Sequence, residues 1–212
     1  ISVRDWSSDV CSSDLVVLGA PPQILEDQSQ TTRLVIGDET VIREYASVHR
    51  GSLKGRGTTM LGQRNYIMAY AHIGHDCVLG DDVVVSSQAG LAGHVEVEER
   101  AVIGGKAGIH QFVRIGKYAM VGACSAVSQD IPPFMMANGN RAKCFGLNTV
   151  GLRRHGISEE AVLRLKRAYR LLFSSKLNTS QALERISAEV GTCPEVEHLV
   201  HFIKISSRGI TR

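Results

Sequence analysis

The sequence predicts an all-β, left-handed parallel β-helix built from hexapeptide repeats, followed by a small α-helical C-terminal subdomain. Three observations lead there: an aliphatic residue every six positions, a small residue often following it, and an abrupt loss of this pattern before a helical C-terminus. A period of six fits neither an α-helix nor a simple strand, so it indicates a repeat architecture. The uninterrupted series is Leu61, Ile67, Ile73, Leu79, Val85, Leu91, Val97, Ile103, Ile109, Ile115, Val121 and Val127.

In the predicted fold each hexad forms one flat wall of a triangular prism, and three hexads complete a coil. The twelve hexads predict four coils, and Ile36, Ile42 and Val48 predict one more upstream. The aliphatic side chains would stack inside the prism. Small residues would let the chain turn each corner, and they are Gly62, Gly74, Gly80, Ala92, Gly104, Gly116 and Gly122.

An interruption separates the upstream coil from the rest. Val48 and Leu61 are thirteen positions apart instead of twelve, so the register slips by one across residues 51–57. This glycine-rich, basic stretch predicts a loop that leaves a corner of the prism. Loops on a rigid scaffold often carry chemistry, although a tolerated insertion is an equally simple interpretation.

Both ends of the chain differ from the repeat. Residues 1–15 lack an initiator Met, the hexad pattern and the apolar core of a signal peptide, which predicts a non-native, adapter-derived segment. The β-helix is then expected over residues 16–133, with its N-terminal coils missing. The proline pair Pro132-Pro133 cannot continue a β ladder and predicts an exit from the prism.

The pattern beyond the prolines predicts a bridging segment at 134–156 and a helical subdomain at 157–212. Glu159 and Glu160 favour the positive end of a helix dipole, and the apolar spacing that follows is helical. We expect helices to begin at Ser158, at Thr179 or Ser180, and at Pro194.

Composition excludes several classes of protein. The net charge of +3 is a mild basic excess, not the dense clustering of a nucleic-acid binder. The sequence has no apolar run long enough to span a bilayer. The cysteines of the repeat and the C-terminal region are scattered, which favours reduced thiols in a cytoplasmic protein; they are Cys77, Cys124, Cys144 and Cys193.

Candidate chemistry concentrates in the histidines. Three aliphatic residues that lie eighteen positions apart predict one wall on successive coils; they are Ile73, Leu91 and Ile109. His75, His94 and His110 follow them by one to three positions, so we expect these three histidines along one edge, on coils about 4.8 Å apart. His72 precedes the same hexad at a corner. Corner histidines that only bond backbone carbonyls are the alternative.

Two chemistries fit this histidine cluster. Imidazoles can bind zinc, or one histidine can act as a general base while the others contact substrate. Asp76 follows His75 directly and favours the second, because a carboxylate can orient and stabilise an imidazole. Neighbouring strand residues point to opposite faces, so the contact could instead cross between coils or subunits.

Several segments resemble the motif series of the UDP-N-acetylglucosamine O-acyltransferase family of lipid A biosynthesis. The resemblance covers essentially everything from Val16 to Arg212. The matching segments are Ile42-Arg43-Glu44, His49-Arg50-Gly51, Ala71-His72-Ile73-Gly74-His75-Asp76-Cys77, Leu91-Ala92-Gly93-His94-Val95, Ile109-His110-Gln111-Phe112, Gln129-Asp130-Ile131-Pro132-Pro133, Gly151-Leu152-Arg153-Arg154-His155-Gly156 and Ser207-Arg208-Gly209-Ile210.

The resemblance implies transfer of a 3-hydroxyacyl chain from acyl carrier protein to the 3-hydroxyl of UDP-N-acetylglucosamine. It implies a homotrimer with active sites between neighbouring prisms, and no cofactor or bound metal. His75 would be the general base beside Asp76, and the Gly93 N–H would stabilise the oxyanion. The implied substrate-binding residues are Met68, His72, His94, His110, Gln111, Ala123, Asn148 and Arg154. Of these, Asn148 and Arg154 would hold the nucleotide, and Ala123 would help to set acyl-chain length.

The chain departs from the family at some nucleotide-binding positions. Ile24 and Glu26 replace an acidic residue and a lysine, Val150 stands where the family tends to have an acidic residue, and His155 where it often has an arginine. These changes predict altered sugar-nucleotide recognition.

Two other functions stay open from the sequence. One is the related N-acyltransferase that acts later in the pathway, and the other is a non-catalytic β-helical binding protein. A basic cluster would steer the acidic acyl carrier protein, or would be a plain solvated helix face; it comprises Arg153, Arg154, Arg164, Lys166, Arg167 and Arg170.

Overall fold

A computed structural model of the chain describes residues 15–25 and 31–212. All but Leu15 of the predicted non-native segment, and the substituted residue Glu26, lie outside these ranges. In chain order, the described strands are β1 (Val17–Ala20), β2 (Arg33–Ile36), β3 (Val41–Ile42), β4 (Ser47–His49), β5 (Thr58–Leu61), β6 (Tyr66–Ile67), β7 (His72–Ile73), β8 (Val78–Leu79), β9 (Val84–Val85), β10 (Gly90–Leu91), β11 (Glu96–Val97), β12 (Val102–Ile103), β13 (Gly108–Ile109), β14 (Arg114–Ile115), β15 (Met120–Val121), β16 (Ala126–Val127), β17 (Met135–Asn138) and β18 (Lys143–Leu147). The described helices are α1 (Thr149–Arg154), α2 (Glu159–Tyr169), a π-helical turn (Arg170–Ser174), α3 (Thr179–Glu189) and α4 (Pro194–Lys204).

The strands form the three walls of a β-helix. Wall A contains β1-β4-β7-β10-β13-β16, wall B contains β14-β11-β8-β5-β2, and wall C contains β18-β17-β15-β12-β9-β6-β3. From β1 to β17, consecutive strands belong to different walls, and each pairs in parallel with the strand one coil away. Leu91 lies between Ile73 and Ile109, which confirms the predicted period of eighteen residues per coil.

The interior of the prism contains the predicted aliphatic ladder. Every one of the twelve aliphatic residues from Leu61 to Val127 is at most 3% exposed. The structure adds a second buried column two positions earlier in each hexad, where residues such as Ala71, Ala89 and Ala107 are also at most 1% exposed. Each hexad therefore buries two side chains, and the smaller one lies next to the corner.

The corners differ from the expectation that small residues turn the chain. The turn is made by the third residue after each aliphatic one, which adopts a left-handed backbone with φ between 56° and 63° in Asp76, Asp82, Gln88, His94, Arg100, Lys106, Phe112, Tyr118 and Cys124. The small residue instead lets two coils approach closely. A Cβ on Gly74 would lie 2.8 Å from the Gly93 nitrogen, and a Cβ on Gly104 would lie 2.6 Å from the Ala123 nitrogen.

The register slip is confirmed as an insertion. Ile36 pairs with Leu61, which is 25 positions later, whereas the coils from Leu61 to Val127 repeat every 18, so this coil carries seven extra residues. The extra length leaves between β4 and β5, at the corner where wall A meets wall B. Gly51 and Ser52 at the start of this insertion loop (residues 51–57) are buried, and Leu53 at its tip is exposed.

Wall C continues beyond the proline pair, where the sequence predicts an exit from the prism. Strand β17 pairs in parallel with β15, and Ala137 lies beside Val121 only sixteen positions earlier. Pro132 and Pro133 fit because they lie at a corner between ladders. The bridging segment therefore contains β17, the antiparallel β18 and the short helix α1. The predicted boundaries at 133/134 and 156/157 stay predictions.

The helices begin where the sequence predicts. The Ser158 hydroxyl accepts the Ala161 N–H at 3.2 Å at the start of α2, and Asn178 caps α3. Helix α4 packs against wall B, with the Arg114 guanidinium 4.2 Å from the centre of the Phe202 ring. Among the residues that the structure describes, no helix has the length and apolar character that crossing a membrane requires.

Close contact between coils predicts different outcomes for two glycines. In Gly104→Ala the new methyl group would meet backbone atoms of the next coil, so we expect a loss of about 1–3 kcal/mol in the free energy of unfolding. In Gly108→Ala the methyl group would meet no described atom within 4 Å, so stability should be unchanged or slightly raised. Urea denaturation followed by circular dichroism compares the two variants. Equal destabilisation of both would contradict the close-contact explanation.

Candidate active site

The predicted histidines lie along the edge between walls A and B. His75 follows β7 and His94 follows the next strand of wall A, β10, so the two rings meet with centroids 5.0 Å apart and planes at 90°. His110 and Gln111 follow β13 on the coil after that. The structure therefore brings His75 and His94 into contact and places His110 further along the same wall.

His75, His110 and Gln111 border a cleft of about 780 Å³ that lies over wall A, and His94 is not among its lining residues. Glycines form part of its floor: a Cβ on Gly90 or Gly108 would meet no described atom within 4 Å, so the floor is open. The cleft is long enough to span several coils. Its polar lining includes Gln23, His49, His72, His75, His110, Gln111, Ser128, Asn140 and Arg141.

His75 and Asp76 form a hydrogen-bonded pair within one chain. The His75 Nδ1 lies 2.8 Å from the Asp76 Oδ2. This contact between sequence neighbours is possible because Asp76 lies at a corner with φ 59°, where the strand alternation of side chains no longer holds. The carboxylate accepts a hydrogen bond from the Nδ1–H, which leaves the Nε2 lone pair available. Asp76 can therefore orient the His75 ring within one chain, and the contact does not need a second subunit.

The Asp76 carboxylate is fully buried, and the insertion loop holds it. The Ser52 N–H lies 3.1 Å from both carboxylate oxygens, the Ser52 hydroxyl donates to Oδ2 at 2.6 Å, and the Arg56 N–H donates to Oδ1 at 2.8 Å. Burial alone would raise the pKa of Asp76. Hydrogen bonds from Ser52 and then His75 outweigh it, so the pKa lies below its usual value.

Gly93 lies against the His75 ring. A Cβ at Gly93 would be 2.5 Å from the His75 Cε1 and Nε2 atoms, so any larger residue would displace the imidazole. Within the described ranges, the Gly93 N–H has no hydrogen-bond partner. A backbone donor thus lies next to the imidazole at the border of the cleft, which is the arrangement that an oxyanion site needs.

Two further imidazoles are held neutral by their surroundings. Burial lowers the pKa of His72, which lies 2.9 Å from the Ser47 hydroxyl through Nδ1. Burial also lowers the pKa of His94, whose ring stacks on Phe112 at a centroid distance of 4.4 Å. Neutral imidazoles can both donate and accept hydrogen bonds, which suits them to contacts with sugar hydroxyls.

Part of this cluster has the spacing of a metal site. Among the described residues, ligand atoms of His75, Asp76 and His94 lie within 4.8 Å of one another, and His110 is not part of this group. Both Asp76 oxygens already accept hydrogen bonds from Ser52, and others from Arg56 and His75. A zinc ion would have to displace these donors, so the donor set fits an oriented imidazole better than a metal centre.

The remaining predicted residues do not line this cleft. Met68 and Ala123 lie at the edge between walls C and A, and Arg154 lies at the end of α1. Asn148 is buried, caps α1 by accepting the Gly151 N–H, and donates to the Tyr118 carbonyl at 3.0 Å. Within one chain, the predicted set therefore divides between wall A with its edge to wall B, the edge between walls C and A, and helix α1.

Sequence reasoning missed several residues near the site. The register slip predicts the insertion loop, but it does not indicate that Ser52 is the loop residue that contacts Asp76. Phe112 lies eighteen positions after His94 and thirty-six after Asp76, so the coil period would have placed it in the same column. Arg208 bonds the Ser128 carbonyl and lies 3.3 Å from the His110 Nδ1, and no short-range pattern indicates this contact.

Burial of a charged carboxylate predicts a pH dependence of stability. Because the folded-state pKa of Asp76 lies below its usual 3.8, the stabilisation is present above that pH and is lost as the pH falls through the folded-state pKa. Asp76→Asn removes this effect, and its amide would face the Ser52 and Arg56 donors. We expect a loss of about 1.5–3 kcal/mol near neutral pH that shrinks towards acid pH. Urea denaturation from about pH 7 to 3 measures it, with the exposed Asp38→Asn as control. Parallel curves for wild type and Asp76→Asn would contradict it.

Two family profiles match this chain, one in the prism and one towards the C-terminus. The profile of a family described as UDP-N-acetylglucosamine O-acyltransferase, domain 2, matches residues 130–211. A profile described as bacterial transferase hexapeptide (six repeats) matches residues 58–93. The first match covers the end of the prism and the helices, and the second covers two coils at the candidate site.

Individual relatives cover most of this chain. It is 51% identical over 195 residues to the acyl-[acyl-carrier-protein]--UDP-N-acetylglucosamine O-acyltransferase of Thermodesulfovibrio yellowstonii, covering 92% of this chain and 76% of that protein. The protein of the same name from Syntrophobacter fumaroxidans is 50% identical over 206 residues, covering 97% of this chain and 79% of that one.

Solved structures show the same architecture. A UDP-N-acetylglucosamine acyltransferase from Bacteroides fragilis superimposes with a TM-score of 0.91 at 38% identity, covering 93% of this chain and 77% of that chain. The enzyme from Campylobacter jejuni gives a TM-score of 0.85 at 40% identity, covering 92% and 75%. With the hexapeptide prism, its C-terminal helices and relatives at half identity in agreement, this chain belongs to the UDP-N-acetylglucosamine O-acyltransferase family of acyltransferases.

Proposed function

We propose that this protein transfers a 3-hydroxyacyl chain from acyl carrier protein to the 3-hydroxyl of UDP-N-acetylglucosamine, the first step of lipid A biosynthesis, with His75 as general base. The observation that carries the proposal is the His75–Asp76 pair, at 2.8 Å, on an open cleft beside the Gly93 N–H, which bonds none of the described residues. The names of the relatives supply the substrates, and the cleft is large enough for a sugar nucleotide and part of an acyl chain.

In the proposed reaction, the His75 Nε2 accepts the proton of the sugar hydroxyl while its oxygen attacks the thioester carbonyl carbon. Asp76 stabilises the imidazolium that forms, because its buried carboxylate is already charged and bonded to Nδ1. Collapse of the tetrahedral intermediate breaks the carbon–sulfur bond. The imidazolium then returns its proton to the leaving thiolate, so the enzyme ends as it began. General-base catalysis of this kind contributes roughly 10²–10⁴-fold.

The oxyanion of that intermediate would be stabilised by the Gly93 N–H. Gly93 lies against the His75 ring, so the donor and the base face one reacting centre. In this scheme His72, His94, His110 and Gln111 contact the sugar, phosphate and acyl groups. His72 and His94 suit this role because their lowered pKa values keep them neutral near pH 7.

A homotrimer with sites between neighbouring prisms would reunite the two groups of predicted residues. Met68, Ala123, Asn148 and Arg154 lie away from the cleft of their own chain, and a neighbouring copy could bring them to it. Wall C supports this assembly because the outward side chains of β3, β6, β9, β12 and β15 are aliphatic or aromatic, whereas wall B presents Glu96 and Arg114. The outward residues of wall C include Val41, Tyr66, Val84, Val102, Met120 and Met136.

Three further features belong to the same proposal. Docking of acyl carrier protein would use the basic cluster, although Arg153 and Arg164 already pair with Glu159 and Glu160. Left-handed winding of the β-helix is supported by TM-scores of 0.85–0.91 with solved acyltransferases. A cytoplasmic location is supported by the free thiols among the described cysteines.

The base assignment predicts a large and selective loss of activity. His75→Ala should lower kcat for acyl transfer to UDP-N-acetylglucosamine at least about 100-fold, because no other described group occupies that position. His201→Ala, on the exposed face of α4, is the matched control and should keep wild-type activity. The measurement is transfer from radiolabelled 3-hydroxyacyl carrier protein, with and without a chelator.

The outcomes of this assay separate the alternatives. Unchanged activity of His75→Ala would refute the base, and a loss with chelator alone would favour a zinc mechanism. Transfer only to an amino-sugar nucleotide would favour the N-acyltransferase. Absence of transfer to either acceptor, with a folded wild-type chain, would favour a non-catalytic β-helical protein.

The apolar wall predicts the assembly state. Val84→Asp places a charge in the middle of wall C and should convert trimers into monomers, because burying an unpaired carboxylate is costly. Val78→Asp makes the same change at the equivalent outward position of wall B and should stay trimeric. Light scattering coupled to size-exclusion chromatography gives the mass of each. A monomeric wild type, or dissociation by both variants, would contradict the assignment of wall C.

A further inference from the structure

We infer that the insertion loop is a socket that positions Asp76, and that Ser52 is a positioning residue for His75. The inference rests on the proposed function and deepens it. Ser52 lies in the insertion loop, where seven extra residues interrupt the hexad register, and it is fully buried.

The loop reaches Asp76 because both belong to the same edge on adjacent coils. Val48 pairs with Ile73, and Leu61 pairs with Leu79. The insertion between Val48 and Leu61 therefore lies directly above the corner that contains His75 and Asp76. An uninterrupted hexad would have only a tight turn there, with too few donors to surround a carboxylate.

Every described contact of the Asp76 side chain, except those with histidine, comes from this loop. Ser52 donates through its N–H and its hydroxyl, the latter at 2.6 Å, and Arg56 donates through its N–H at 2.8 Å. Thr59, just after the loop, accepts the Asp76 N–H at 2.8 Å. The loop thus holds the carboxylate, and Thr59 in β5 holds the backbone of the same residue.

The shape of the loop is fitted to the carboxylate. A Cβ on Gly55 would lie 2.5 Å from the Asp76 Cγ and 2.6 Å from its Oδ1, so only glycine admits the side chain in this position. The Arg56 side chain pairs with Glu96 on wall B, which anchors the far end of the loop to the prism. The loop is therefore tied down on both sides of the carboxylate.

The consequence for His75 concerns its protonation. A carboxylate fixed at 2.8 Å from Nδ1 keeps the proton on that nitrogen, so Nε2 is the free base. If Ser52 loses its hydroxyl, Asp76 gains freedom and the Nδ1–H tautomer loses its advantage. Ser52 would then affect turnover without touching the substrate.

The test compares Ser52→Ala with Ser52→Thr and Ser125→Ala. Ser52→Ala should lower kcat about tenfold while KM changes less than about twofold, because one hydrogen bond to a charged group is lost. Ser52→Thr keeps the hydroxyl and should restore kcat. Ser125→Ala removes an equally buried hydroxyl that bonds the Gly122 carbonyl at 2.7 Å and touches no group near His75, so it should keep wild-type kcat.

A spectroscopic measurement on the resting protein makes the test independent of turnover. ¹⁵N NMR of His75 should show the Nδ1–H tautomer in wild type and a mixture with Nε2–H in Ser52→Ala. Gly55→Ala, at an exposed loop position, should give the same mixture if Ser52→Ala does not fold. Wild-type tautomer and kcat in the Ser52 or Gly55 variant would overturn the inference, as would an equal loss in Ser125→Ala. If Ser52→Ala changes the tautomer of His75 while the separate variant His75→Ala is fully active, the positioning role of the loop stands and only the catalytic role of His75 is refuted.

Discussion

Close stacking of each coil on the next is the constraint on which the rest of this structure depends. Eighteen residues return the chain to the same wall, and the strands of successive coils then pair in parallel with the same register. Glycines such as Gly74 and Gly104 allow this spacing because a side chain there would overlap the neighbouring backbone. Residues eighteen positions apart consequently form columns along the prism. Side chains that are distant in the sequence thereby become neighbours and can form a site.

The candidate site arises where two such columns meet one irregularity. Asp76, His94 and Phe112 occupy the same corner position on three coils, and His75 projects beside them. Without the insertion loop, histidines would be the only described partners of the Asp76 side chain. The insertion loop surrounds it with donors, and its charge becomes available to His75. The regular part of the prism supplies position, while the irregular part supplies the electrostatic environment.

Much of this could be predicted from sequence because the period is long and uninterrupted. The walls, the buried ladder, the helix starts and the common edge of His75 and His94 all follow from counting. Counting could not show that Asp76 turns back onto His75, since that depends on a backbone conformation at φ 59°. It also could not show that Ser52 meets Asp76, a contact 24 positions away that depends on how an insertion folds. Helix α1 was missed because its six residues are too few to show a period.

The left-handed corners have a consequence for how the prism is assembled. Fourteen non-glycine residues in the described chain have positive φ, and for such residues this conformation costs on the order of 1 kcal/mol each. A single coil in water has no neighbour to repay that cost. Each coil is therefore stable only when it packs on a folded neighbour. Folding should then propagate along the axis of the prism from whichever coil forms first.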